Sequence, residues 1–240
     1  MRKVQPCFRC DSPGTTREHF PPKAFFPNGG ANLQLRTVRS CAEHNNGKSD
    51  DDQYVLAHIC GHAADGKNLA TRRFQESIAP QLEIAPKFRE LLNRGAYAIP
   101  EKGMAYLVDV SRFDRFFDSL CCAIFFDRYG VSCGEQFKIM HLYLSFEPNS
   151  DHDREMLEHG RQMYARFFSD WSQMVSTVEA DRIDEIVYQY EIVDPGGPEA
   201  SITIVHGFYG VFQVISLVTH KAANAMIEKL LGSGQLDDFI

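Results

Sequence analysis

Long apolar runs are missing from this sequence. The longest, around Leu120–Phe126 and Val211–Val218, fall far short of the roughly 20 residues a helix needs to cross a bilayer, which predicts no contact with a membrane. The opening residues, Met-Arg-Lys-Val-Gln-Pro-Cys, hold no apolar segment of signal-peptide length, so the expected location is the cytoplasm. Thiols stay reduced there, and the seven cysteines are an odd number; both points argue against a disulfide framework. Internal repeats and low-complexity tracts are also missing, which excludes a solenoid. Tryptophan occurs once, at Trp171. Positive charge is scarce overall: 25 Lys and Arg face 32 Asp and Glu, for a net charge of −7.

That balance argues against a nucleic-acid binder until it is split. Residues 1–49 carry eight Lys and Arg against three acids, a local +5, and the remainder is −12. A basic head on an acidic body suits a local phosphate-binding face and limits non-specific DNA binding, although a solvated surface has the same composition. Hydrophobic content of 44% and aromatic content of 12% supply ample core material.

The expected fold class is α+β: a zinc-stabilised unit over residues 1–64, then a helical and antiparallel-sheet domain over 65–240. Residues 1–50 are rich in Gly, Pro, Asn and Arg and suit a unit held by a metal rather than by a core. Leu33–Val38 alternates as a short strand. A helix begins at Glu43 or His44 and either passes Gly47 or restarts near Asp50, with Asp51–His62 helical. Lys67–Arg94 reads as helix interrupted near Pro80 and Pro86; its six basic residues read as a solvated face or a second DNA-contacting surface. Met104–Val110 reads as a strand. Ser111 is the expected N-cap of a core helix from Arg112 to Tyr129, closed by Gly130. Ile139–Phe146 reads as a strand, and a helix capped by Asp151 or Asp153 runs to about Val178. Ile186–Val193, Ala200–Phe208 and Val211–Val218 form an antiparallel meander, followed by a last helix over His220–Leu231.

The chemistry concentrates near the start. Cys7-x-x-Cys10 and Cys41-x-x-His44 are two pairs of soft ligands, and two intervening residues let a tight turn aim both side chains at one tetrahedral zinc ion. Cys60, Cys121, Cys122 and Cys133 read as core thiols. Between the pairs lies Glu18-His19-Phe20-Pro21-Pro22; directly after the second comes Asn45-Asn46-Gly47-Lys48. Phosphodiester hydrolysis needs a base for water, a cation against the developing charge and help for the leaving oxygen. A neutral imidazole can be the base, and a Mg²⁺ held by a carboxylate and an amide oxygen can supply the rest.

As a set, these residues resemble the HNH (ββα-metal) endonucleases, in the branch with a structural zinc. Asn45-Asn46-Gly47-Lys48-Ser49-Asp50 is similar to the Asn-x-Gly-Lys-Ser-Asp of the HNH domain in RNA-guided CRISPR nucleases, and Glu18-His19-x-x-Pro22 to its Asp-His-x-x-Pro. The resemblance covers roughly residues 5–55. It implies that His19 is the general base, that Glu18 and Asn45 ligate Mg²⁺ or Mn²⁺, that Asn32 (or Asn28) holds the His-bearing loop, and that Lys48 supports the phosphate or the motif's backbone. It also implies DNA cleavage leaving 5′-phosphate and 3′-hydroxyl ends. Glu18 departs from the commoner Asp. His44 departs from Cys, which leaves His44 as a zinc ligand or as the catalytic-metal ligand. The Asn32–Cys41 spacing is longer than in tight versions of the motif.

Three further signals are weaker. Gly47-Lys48-Ser49 lacks the earlier glycine of a P-loop. His58 and His62, four apart, read as a helix-surface pair. Asp50-Asp51-Asp52 could be a cation site but reads rather as a solvated helix start. The leading expectation is a metal-dependent HNH endonuclease acting on DNA, with anti-phage or restriction defence as its setting; residues 65–240 would then bind a partner, oligomerise or sense a signal. The rival is a zinc-stabilised nucleic-acid-binding module without catalysis.

Overall fold

The computed structural model describes residues 5–26, 35–62, 68–99, 103–148, 150–168, 187–194, 197, 199 and 201–222. Asn28, Asn32, Trp171, the end of the long helix expected to reach Val178 and nearly all of the expected last helix lie outside them. The fold is α+β, as the patterning predicts.

The chain begins with a hairpin. Strand β1 (Thr16–His19) pairs antiparallel with β2 (Thr37–Ser40), and Glu18 faces Val38 across the ladder. Helices α1 (Ala42–Asn46) and α2 (Ser49–Gly61) follow at once. Gly47 separates them, which matches the expected restart near Asp50. β2 lies later in the chain than the strand expected over Leu33–Val38, and β1 was not foreseen. Four residues of Thr-Arg-Glu-His leave too little apolar alternation to register as a strand.

The segment after α2 is segmented helix. It comprises α3 (Leu69–Arg73), a π-helical stretch over Phe74–Ile78, α4 (Ala79–Ile84) and α5 (Pro86–Leu92). Pro86 starts the last of these, since it cannot donate to a preceding turn. The strand expected over Met104–Val110 is instead a small hairpin of β3 (Tyr97–Ile99) and β4 (Gly103–Ala105), and residues 106–109 are irregular.

Helix α6 (Val110–Tyr129) is the central rod. Its N-cap is Asp109, not Ser111; the Ser111 hydroxyl donates to Asp109 Oδ1 at 2.6 Å. Gly130, with φ 68°, ends the helix in the left-handed region that a side chain disfavours. Phe113, Phe116, Phe117, Leu120, Ile124 and Phe125 are all buried, as their helical spacing predicts.

A four-stranded antiparallel sheet packs on this rod. Its order is β5-β8-β7-β6, from β5 (Phe137–Tyr143), β6 (Tyr188–Val193), β7 (Ile202–Phe208) and β8 (Phe212–His220). Ile204, His206 and Phe208 belong to the face covered by α6, whereas Val205 and Ile215 join Leu144, Leu157 and Tyr164 in a second cluster under α7 (Asp151–Phe168). Both faces are therefore covered, which explains why β7 is buried almost throughout. Gly160 lets α7 approach: a Cβ there would lie 2.6 Å from Leu142 Cδ2.

The main apolar cluster runs without a break from Cys7 and Phe8 through Tyr54 and Phe116 to Val218. The hairpin, α2, α6 and the sheet thus share one core. Phe117 lies at its centre, fully buried against Phe116, His141, Tyr143, His206 and Phe208. Replacing it with alanine leaves a cavity that these rings cannot close. Phe117→Ala is expected to lose about 3–5 kcal/mol of unfolding free energy in urea titration; a loss under about 1 kcal/mol would contradict this packing.

Candidate functional site

The two ends of the first loop system meet in space. Cys7 and Cys10 lie in the turn before β1, Cys41 follows β2, and His44 lies in the first turn of α1. Their ligand atoms all fall within 4.8 Å of one another. His44 Nδ1 is 3.5 Å from Cys7 Sγ, 3.5 Å from Cys10 Sγ and 3.3 Å from Cys41 Sγ, and the Cys10 and Cys41 sulfurs are 4.0 Å apart. Three thiols and one imidazole nitrogen converging on a point are a donor set that can hold a zinc ion. His44 is therefore grouped with the three cysteines.

Local chemistry prepares this set. Burial, reinforced by the Arg9 charge, holds the His44 imidazole below its usual range and so neutral, with a lone pair to donate. Burial pushes the Cys7 thiol up; at Cys10 burial acts the same way, but hydrogen bonds with Ser12 and neighbouring thiols outweigh it and the net shift is downward. The turn is anchored to the α6 side of the core: Ser132 Oγ donates to the Cys7 carbonyl at 2.7 Å, the Cys133 amide donates to the Phe8 carbonyl at 3.0 Å, and Arg9 lies 3.9 Å from Asp118. Cys60, Cys121, Cys122 and Cys133 are buried core thiols, and all seven cysteines are unbridged.

Next to the cluster, the two halves of the motif touch. The Lys48 ammonium lies 2.8 Å from Glu18 Oε1 and 3.6 Å from Asp52 Oδ2. Glu18 is 7% exposed on the inner face of the hairpin, and burial raises its carboxyl pKa against the opposing pull of Lys48. His19 is the next residue, so the pleat turns it to the opposite face, with Thr37 directly across. Burial first, then the charges of Lys23 and Lys48, lowers the His19 pKa, so this imidazole is neutral at pH 7. The loop beyond it is pinned: Tyr209 Oη donates to the Phe25 carbonyl at 2.6 Å, and Arg73 donates to the Ala24 carbonyl.

Asn45 is half-buried on α1. Among the described residues its carboxamide makes no hydrogen bond to Glu18, His19 or Lys48. Asn32 and its alternative Asn28 lie outside the described residues.

Sequence reasoning missed Asp52. The acidic run is not a uniformly solvated helix start. Asp51 holds Arg115 in two hydrogen bonds of 2.7 and 3.1 Å and lies 3.4 Å from Arg112, tying α2 to α6. Asp52 turns inward beside Lys48 and Glu18, its Oδ1 is buried with no hydrogen-bond partner, and burial raises its pKa to about 6. Its spacing was the available signal, because Asp52 shares a helical stripe with the buried Val55, Leu56 and Ile59. His58 differs from expectation too. It packs edge-on against Tyr54 rather than lying on the surface, and burial lowers its pKa to about 4.

Searched against family models, curated proteins and solved structures, the chain matches none. Among the described residues no helix is long and apolar enough to cross a membrane.

Two outcomes follow from this geometry. The purified chain is expected to carry one zinc per molecule, and Co²⁺ exchange to give the visible spectrum of a tetrahedral thiolate-rich site. His44→Ala should bleach that spectrum and lower the melting temperature; an unchanged spectrum would remove His44 from the ligand set. The second concerns Asp52. An acid whose folded pKa exceeds its unfolded value of 3.8 holds its proton more tightly in the fold, so stability falls as pH rises from about 4 to about 6 and then levels. Without divalent cations, Asp52→Asn should gain on wild type across that window by about 3 kcal/mol, read by urea unfolding at several pH values. A pH-independent difference would contradict the burial.

Proposed function

We propose that the protein is a metal-dependent endonuclease of the HNH type that hydrolyses DNA phosphodiester bonds. One observation carries this reading: a hairpin strand ending in Glu18-His19 and the Asn45-x-x-Lys48 element, which runs from α1 to the N-cap of α2, are joined by the 2.8 Å Glu18–Lys48 contact, beside a Cys₃His cluster. The order strand, strand, helix supports it, as does the neutral His19.

In this mechanism His19 accepts the proton of the attacking water, which its lowered pKa permits at neutral pH. A Mg²⁺ or Mn²⁺ bound by Glu18 and Asn45 would offset charge developing on the phosphodiester. The partnerless Asp52 Oδ1 beside Glu18 fits a hard cation in that region. Lys48 holds the Glu18 carboxylate in place and keeps the buried pair of acids from repelling each other. The Cys₃His cluster is structural: it fixes where β1 meets α1. Its setting would be restriction or anti-phage defence, with residues 65–240 as the regulatory or partner-binding portion.

A non-catalytic zinc-stabilised DNA-binding module is the second reading. It is favoured by Glu18 already being paired with Lys48, by Glu18 and His19 lying on opposite faces of β1, and by the Asn45 carboxamide making no hydrogen bond to Glu18 among the described residues.

Plasmid cleavage separates the two. Zinc-loaded wild type is expected to nick supercoiled DNA with Mg²⁺ or Mn²⁺, and His19→Ala to lose about 10²–10⁴-fold in rate while still binding DNA. Equal nicking by both proteins, or none by either with any divalent cation, would leave only the binding module.

A further inference from the structure

The outer face of the hairpin carries a pair of charges with no counter-charge among the described residues. Arg17 on β1 and Arg39 on β2 are directly opposite in the antiparallel register. Like charges at such a position repel and destabilise the ladder. A fold commonly relieves this with a carboxylate, yet neither guanidinium has an ion-pair or hydrogen-bond partner among the described residues. Together with Thr37, the two arginines line a cavity of about 490 Å³ whose far wall holds Phe126 and Asp127. Asp127 does not serve the pair, because its carboxylate accepts from Arg36 at 2.8 Å. Arg36 in turn donates to the Tyr190 hydroxyl at 3.0 Å. The turn before β1 packs on this same face, where a Cβ on Gly14 would lie 2.6 Å from Arg39 Cβ. That close approach leaves Arg39 little room to fold back toward the turn.

The alternation of the strand places His19 on the same face as Arg17. Successive residues on one face of a strand are about 7 Å apart, so His19, Arg17 and Arg39 form a short row along the outside of the hairpin. Glu18, Val38 and Ser40 occupy the inner face, buried. The positive row and the carboxylate cluster are thus separated by the hairpin itself.

We propose that Arg17 and Arg39 form a phosphodiester-binding subsite that grips the nucleic-acid backbone next to the phosphate facing His19. The subsite rests on the nucleic-acid reading of this hairpin but not on catalysis. Two fork-shaped guanidinium groups side by side suit bidentate contact with phosphate oxygens. A bound phosphate relieves the repulsion between them, so the cost built into the free hairpin becomes a gain on binding. The contact carries no base information and fixes the position of the strand rather than its sequence. The local +5 of residues 1–49 is in this way focused at a defined place on the hairpin.

The test measures binding of a fluorescent DNA duplex by anisotropy across a salt series, with zinc-loaded protein and no Mg²⁺ or Mn²⁺. Arg17→Gln and Arg39→Gln should each weaken binding about 3–10-fold and the double variant about 10–100-fold. The slope of log K against log salt should fall by about 0.9 for each phosphate that is no longer neutralised. Arg17→Lys/Arg39→Lys should keep most of the slope and recover part of the affinity. Lys138→Gln, an exposed charge on β5, should change nothing. Zinc content and melting temperature equal to wild type show that the Gln variants fold. Wild-type affinity and slope in the double Gln variant would overturn the subsite, as would equally tight binding of poly-glutamate through the same pair. If no condition yields cleavage but the arginine variants lose binding as stated, the catalytic reading falls and the subsite stands. If cleavage is seen and the variants bind normally, the subsite alone falls.

Discussion

The convergence of Cys7, Cys10, Cys41 and His44 is the constraint on which the rest of the first fifty residues depends. Strands β1 and β2 pair over only four residues each, and an isolated two-stranded hairpin is marginal in water. The Cys₃His donor set can close it by holding a zinc ion. It joins the turn before β1 to the segment after β2 and the first turn of α1, so the hairpin and helix cannot separate without opening the ligand set. A metal-held junction of this kind contributes folding free energy directly. Everything of chemical interest, Glu18, His19, Asn45 and Lys48, lies within a few residues of that junction.

The junction is in turn bolted to a large apolar body. The Cys7 and Phe8 carbonyls receive hydrogen bonds from Ser132 and Cys133, and Arg9 lies near Asp118 on α6. Asp118 continues into a buried polar chain. His141 Nε2 is 3.1 Å from it, the Ser216 hydroxyl lies between His141 and His206, and the Tyr188 hydroxyl is 2.8 Å from His206 Nδ1. Spacing alone makes Asp118, His141 and Ser216 look like a hydrolase triad. Ser216 is fully buried, however, and no substrate can reach it. The chain is better understood as the means by which the sheet's interior satisfies its polar groups, since each would be costly unpaired at this depth. It also links the sheet to the metal-binding turn. With both sheet faces buried, under α6 and α7, this body is the platform on which the small hairpin sits.

Legibility in the sequence tracked the strength of the local signal. Helix α6, with six aromatic and aliphatic residues at helical spacing and Gly130 at its end, was readable because one apolar face repeats from Phe113 to Phe125. The meander was readable from its three alternating apolar segments. The ligand set was readable because two residues between soft ligands is a spacing with a mechanical meaning. Strand β1 was not: Thr-Arg-Glu-His has no apolar alternation, and it is a strand only because β2 pairs with it and the ligand cluster holds the ends. The strand expected over Met104–Val110 failed for the opposite reason. It is a nearly continuous apolar run, yet Met104, Tyr106, Leu107 and Val110 are all substantially exposed, and only Gly103–Ala105 finds a partner in β3. The N-cap moved from Ser111 to Asp109 because capping depends on backbone direction, which neighbouring residues do not reveal.

The sequence by itself determined which chemistry is present: three thiols and an imidazole paired at knuckle spacing, a Glu-His dipeptide, an Asn-x-x-Lys element and a basic head on an acidic body. These are properties of residue type and short spacing, and they survive any fold. The tertiary structure alone decided how those groups face one another. It turned Asp52 inward to Lys48 and Glu18, placed His19 and Glu18 on opposite faces of one strand, and set Arg17 against Arg39 across a register that spans twenty-two residues of chain. Pairing of strands and burial of a helix face depend on partners distant in sequence, and only their assembly selects which carboxylate is buried and which charge is left to meet a ligand.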